Sequence, residues 1–210
     1  MSSITRREPP RVRATGWPVR RTPRWVFLAA AGILAIAVAV TLVHKPSQAQ
    51  RATDMRGVLQ QLSADIESCA GGVSESLTAL RQVQAEHPRN ATDLSDAISI
   101  AQQGAANCSP ANNELIDDLE NYQVPESLYS FGLKSAVTSL VDWAAPNAVQ
   151  VETDIGNVLS ATTSQARTSA QAALSRDLGA LDAKRSKVDG PITRAIRALG
   201  MRASPPRLPG

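Results

Sequence analysis

From Trp25 to Val43 the chain runs nineteen residues without a charged side chain, and this stretch constrains the rest more than any other. A helix of that length rises about 28 Å, close to the roughly 30 Å of a bilayer's hydrocarbon core. Arg24 and Trp25 stand at one border, His44 and Lys45 at the other, where amphipathic and cationic side chains reach the headgroups. Seven Arg precede the run, against Lys45, Arg51 and Arg56 in the matching window after it. Positive charge resists translocation, so the sequence predicts a single transmembrane helix over 25–43. The expected localisation is the cell membrane, single-pass, with the N-terminus cytoplasmic and residues 44–210 extracytoplasmic.

The competing reading is an export signal removed after Ala49. Ser47 and Ala49 supply small residues at the positions a signal peptidase reads. Against it, the apolar run exceeds the usual signal core of about 7–15 residues, and the basic region ahead of it is long. The anchor is the preferred expectation, and a secreted helical protein is the alternative.

Residues 1–24 carry four Pro and no helical period, which predicts a disordered, Arg-rich cytoplasmic tail. Its cations suit anionic lipid headgroups, just as residues 25–43 suit the bilayer itself. The net charge of +3 conceals a division: about +6 over 1–24, −9 over 44–166 and +6 over 167–210. Basic charge confined to the two ends does not make a nucleic-acid footprint, so no nucleic acid is expected as a partner.

Beyond a linker over 44–56, the pattern predicts an all-α fold: an elongated, disulfide-clipped helical bundle over 57–201, then a Pro-rich disordered end over 202–210. Leu59, Leu62, Ile66, Cys69, Val73, Leu77 and Leu80 recur at steps of three and four, one face of a helix. "HPRNA" at 87–91 reads as a turn. Leu94, Ile98, Ala101 and Ala105 repeat the spacing, and Leu115, Ile116, Leu119 and Tyr122 mark a short third helix. Leu133, Val137, Leu140 and Val141 mark a fourth, which Pro146 breaks or kinks. From Val151 to "DGP" at 189–191 the periodicity predicts one helix of about forty residues, ended by Gly190 in a left-handed cap and followed by a short last helix.

Cys69 and Cys108 are the two cysteines, and both lie on the exported side, where pairing is the default. Their midpoint falls between Pro88 and Arg89, inside the turn. Antiparallel helices place residues equidistant from a turn at one level, so a structural disulfide is expected. Closing a loop of that length stabilises by roughly 3–4 kcal/mol in the chain-entropy account.

Chemistry is harder to find. His44 and His87 are the two histidines, without a triad-like neighbourhood, and no zinc-protease, phosphate-loop, dinucleotide, nucleophile-elbow or EF-hand motif occurs. No cofactor, metal or catalytic residue is assigned, and the chain is not expected to be an enzyme. "ELIDDLEN" aligns Glu114, Asp117, Asp118 and Asn121, which reads as a solvated face opposite Leu115 and Leu119. One feature is less ordinary: the exported part's four aromatics, Tyr122, Tyr129, Phe131 and Trp143, fall within 22 residues. They either pack the core there or form a partner-binding spot, since Tyr and Trp are enriched at interface hot spots. The expected role is binding, adaptor or scaffold work in a bacterial envelope. An envelope hydrolase ranks third, to be favoured by an aromatic groove containing Glu126 or Asp142.

Overall fold

The computed structural model describes residues 46–85, 91–110 and 114–210. The expected transmembrane helix, the Arg-rich tail and the turn at Pro88 lie outside these residues. Among the described residues every regular element is helical and there is no strand. None of the described helices is long and apolar enough to cross a membrane.

Helix α1 spans Gln48–Ala85, 38 residues, about 57 Å at the standard rise. It begins earlier than its apolar stripe suggests. The Ser47 hydroxyl accepts from the Gln50 N–H at 3.1 Å, a side-chain cap on an orphan donor. Residues expected as linker are therefore its first turns, and Met55 is fully buried. Val58, Leu62, Ile66, Cys69, Val73 and Leu80 continue the buried face.

Helix α2 (Ala91–Cys108) packs along α1, and the Cys69–Cys108 disulfide joins them with a Cα–Cα distance of 4.7 Å. The two cysteines pair as their equal distance from the turn predicts. One turn from each cysteine stands a glycine, Gly72 and Gly104. A β-carbon on Gly72 would lie 2.9 Å from the Gly104 Cα, closer than side chains tolerate. The two glycines cost helix propensity of about 1 kcal/mol each and in return let the backbones touch.

Helix α3 (Glu114–Asn121) buries Leu115, Ile116 and Leu119. A 3₁₀ helix over Glu126–Phe131 ends at Gly132, whose φ of 71° needs a residue without a β-carbon. Helix α4 (Leu133–Asp142) follows. The chain then turns through Trp143–Ala148, where Ala145 is extended and Pro146 is preceded by a cis peptide, so the expected interruption at Pro146 is present.

The long helix expected after Val151 is instead two. Helix α5 covers Val149–Ser160 and α6 covers Ser164–Ala198. The stretch between them, "ATT", lets Ala161 go extended at ψ 117°. Thr163 takes over as cap, its hydroxyl accepting from the Ala166 N–H at 3.1 Å. Hydroxyl side chains compete with the helix for backbone donors, and the break lets α5 fold back onto α6. At the other end α6 runs straight through Gly190–Pro191. Gly190 has no β-carbon to meet the proline ring, and Pro191, Ile192, Ala195 and Ile196 are buried. The left-handed cap is Gly200, at φ 64°, with Met201 N–H donating to the Ile196 carbonyl at 3.0 Å.

The main helix packings run α1 on α2, α2 on α5, α5 on α6 and α6 on α4. Residues 202–210, expected to be disordered, have no regular secondary structure but are placed with Pro206 and Leu208 buried. Prolines surrender little backbone freedom on ordering, so two apolar anchors hold what an ordinary sequence would release.

Candidate functional site

The joint between α3 and α4 produces an open groove. Local sequence explains why it is open. Pro125 starts a 3₁₀ turn, Gly132 reverses it, and the chain rejoins helical geometry only at Leu133. Two helices linked in this way cannot pack side by side along their length. Between them lies a cavity of about 590 Å³, within the usual range for ligand sites.

Leu119, Val124, Val137 and Val141 give it an apolar floor, and Tyr122 and Tyr129 supply aromatic walls. Lys134, Thr138, Glu120 and Asp142 bring polar groups to its edge. Tyr129 is 62% exposed and is the exposed large hydrophobic residue among those described. Burial raises the Tyr122 phenol above its ordinary range, and the nearby Asp65 carboxylate adds to the rise. Asp65 on α1 is raised in turn, first by burial and then by Asp118, while Gln61 opposes the shift by donating to it at 2.7 Å.

The four aromatics therefore divide. Tyr122 and Tyr129 line the groove. Phe131 is half-buried against the core, and Trp143 is wholly buried, its indole N–H without a hydrogen-bond partner. Clustering in sequence did not become clustering on a surface, because the residues lie on a 3₁₀ turn, a helix end and a kink that face different ways.

Of the two carboxylates that would favour hydrolysis, Asp142 borders the groove and Glu126 does not. Asp142 is held by the Lys184 ammonium at 2.6 Å, which ties its carboxylate to α6 at the groove's edge. Among the described residues no group of His, Cys, Asp and Glu is arranged to hold a metal ion. The arrangement suits recognition by apolar contact and hydrogen bonding.

A second place, which composition does not reveal, is Glu152 on α5. It is 1% exposed, and a β-carbon on Gly104 would overlap its carboxyl group. Burial pushes the Glu152 carboxyl up to about 7; the buried Ser76 hydroxyl opposes this weakly. Neither side chain makes a hydrogen bond of ordinary geometry. The one signal in the sequence is periodic: Ala148, Glu152, Ile155 and Leu159 share a face, and the other three are core residues. Asp154, also buried on α5, is raised by burial and by Asp177 of α6, which Arg176 keeps low through bonds of 3.0 and 3.1 Å.

No protein-family model matches the chain, and no curated protein or solved structure is significantly similar to it.

Proposed function

We propose that the chain is an extracytoplasmic binding or adaptor module, anchored by residues 25–43 and working without catalysis. The observation that carries this reading is Tyr129, an aromatic left in solvent at the mouth of a groove and the exposed large hydrophobic residue among those described. Exposed aromatics over an apolar floor favour a protein partner. The groove lies in the acidic part of the chain, with Glu114, Asp117, Asp118 and Glu120 on the neighbouring helix. The fitting partner is therefore an envelope protein segment that sets an apolar side chain beside Lys or Arg.

A photo-crosslinking residue at position 129 tests this in cells. One discrete adduct, absent when the probe is at Arg176 and weakened by raised salt, supports it. The same diffuse labelling from both positions refutes it. Hydrolysis is the rival that Asp142 keeps in view: activity on cell-wall material lost in Asp142→Asn would establish it over recognition.

The anchor has its own test. A cut after Ala49 would remove Ser47 and with it the cap of α1, which favours the retained form over the secreted one. Intact mass of the native protein from membrane and medium decides: full length in the membrane supports the anchor, and a species beginning at Gln50 in the medium overturns it.

A further inference from the structure

Helix α5 differs from its neighbours in how its two ends are made. At its start Ala145 is extended (φ −132°, ψ 123°) and Pro146 has no N–H to donate. At its end Ala161 is extended again, and Thr163 caps α6 with its own hydroxyl. The Arg167 guanidinium, donating to the Ala161 carbonyl at 3.3 Å, ties this second break to α6. The helical ladder is thus interrupted on both sides of Val149–Ser160, and these 12 residues can move as a unit while α4 and α6 keep their own backbone bonds.

The same segment carries both acidic side chains that are shut away from water among the described residues, Glu152 and Asp154. They point to different sides of the helix. The Glu152 carboxyl group occupies the place of a β-carbon on Gly104 of α2, with Ser76 of α1 beside it. Asp154 meets Asp177 of α6, and the Gln150 amide donates to it at 3.2 Å.

The groups around Glu152 are few. On α1, Ser76 is buried beside it, while the charged Glu75 and Arg81 are exposed. On α2 the charged residues are Asp93 and Asp96, two turns or more before Gly104. The segment Trp143–Ala148 has no titratable side chain. On α6, Arg176 and Asp177 act on Asp154, whereas the influences on Glu152 are burial and the Ser76 hydroxyl. The closed site therefore offers a Glu152 carboxylate one hydroxyl and no cation among the described residues. A buried charge without a cation is costly, and the cost disappears once α5 lifts and water reaches the group.

We propose that α5 is a proton-operated latch, closed on α1 and α2 while Glu152 keeps its proton and opening about Ala145 and Ala161 as that proton is lost. Opening widens the space of about 280 Å³ between α2 and α5 and bares its wall of Ile98, Ala101 and Ala105. Val151, Ile155, Val158 and Leu159 oppose it through their burial, so the open form is a minor population whose size is set by pH. The closed carboxyl is pushed up to about 7, and the open one returns to its ordinary 4.5. Linkage then fixes the slope: the open fraction rises about tenfold per pH unit between those values and levels off above them. Asp154, also raised, adds to the slope, and Asp177, lowered, subtracts from it. The latch does not depend on the binding reading of the Tyr129 groove.

The test is amide hydrogen exchange, read by mass spectrometry on the full-length chain from about pH 5 to about pH 8, each rate divided by its intrinsic value at that pH. Normalised exchange across Val149–Ser160 should rise by about tenfold per pH unit and then flatten near neutrality, while α1 around Leu62 stays protected. Glu152→Gln, uncharged at every pH, should remove most of the rise. A rise that the variant reproduces overturns the proposal. So does a rise of equal size in α1 and α5, which would mean that the whole bundle opens together. Should Glu152→Gln not fold, Ser76→Ala carries the test. It removes the hydroxyl that favours the charged form, so the plateau should begin at higher pH; a plateau that stays or moves down overturns the proposal.

Discussion

Two regions of this bundle solve the same packing problem in opposite ways. At the α1–α2–α5 junction, Gly72 and Gly104 bring backbones into contact beside the Cys69–Cys108 bridge, and Glu152 is shut inside. At the α3–α4 joint a 3₁₀ turn closed by Gly132 holds the helices apart, and bulky side chains line an open groove. Small residues close an interface even around a carboxyl group; aromatic residues on irregular backbone leave it accessible. The carboxyl group pushed up to about 7 therefore lies in the closed region, at the edge of a space of about 280 Å³, and the open groove is lined by two tyrosines.

The largest expected effect tests the core of the open region. Trp143→Ala should destabilise by about 3–5 kcal/mol in denaturant titration, since it empties a fully buried site. A loss below 1 kcal/mol would mean that the joint is loosely packed throughout. Next is the closed region's clip: Cys69→Ala with Cys108→Ala should cost about 4 kcal/mol for a separation of 39 residues.

Glu152 sharpens the comparison through pH. Its folded value of about 7 lies above the ordinary 4.5. Below 4.5 it is protonated in both states; between 4.5 and 7 only the unfolded chain loses the proton, so stability falls as pH rises and levels off above 7. The total is on the order of 3 kcal/mol. Asp65, Asp154 and Asp189 are also raised and act with the same sign, whereas Asp177 is lowered and acts with the opposite one. The difference between native chain and Glu152→Gln across that range isolates the Glu152 contribution. Parallel stability–pH curves for the two proteins would disprove the assignment.

Gly104→Ala should cost about 2 kcal/mol by forcing its methyl group onto the Glu152 carboxyl. Combining it with Glu152→Ala should recover part of that loss, a coupling that a double-mutant cycle reads directly. The smallest effect on stability belongs to Tyr129→Ala, within about 0.5 kcal/mol because the side chain is exposed. Its consequence should appear in partner capture. A variant as destabilised as Trp143→Ala would show that Tyr129 is structural.

Periodicity is a local property, and what it determines is local too. The spacing of Leu59, Leu62, Ile66, Cys69 and Val73 was enough for a helix and its buried face, and the positions of Cys69 and Cys108 about one turn were enough for their pairing. It could not tell that α1 starts at Gln48, because a capping hydroxyl on Ser47 has no period. Nor could it separate α5 from α6, since "SATTS" reads as weak helix until Thr163 finds the Ala166 N–H. The halt expected at Gly190 required knowing that Ile192, Ala195 and Ile196 had a core to enter.

The candidate site divides on the same line. That four aromatics gather between 122 and 143 is written in the chain. That Tyr129 faces water while Trp143 faces the core depends on α4, α5 and α6 meeting around the kink. A carboxyl group shows its ordinary chemistry in any isolated segment. Only when three helices exclude water around Glu152 does neutrality become its favoured state, because desolvation depends on neighbours distant in sequence. Helical class and the disulfide follow from the order of residues along the chain; exposure and ionisation follow from which surfaces the fold brings together.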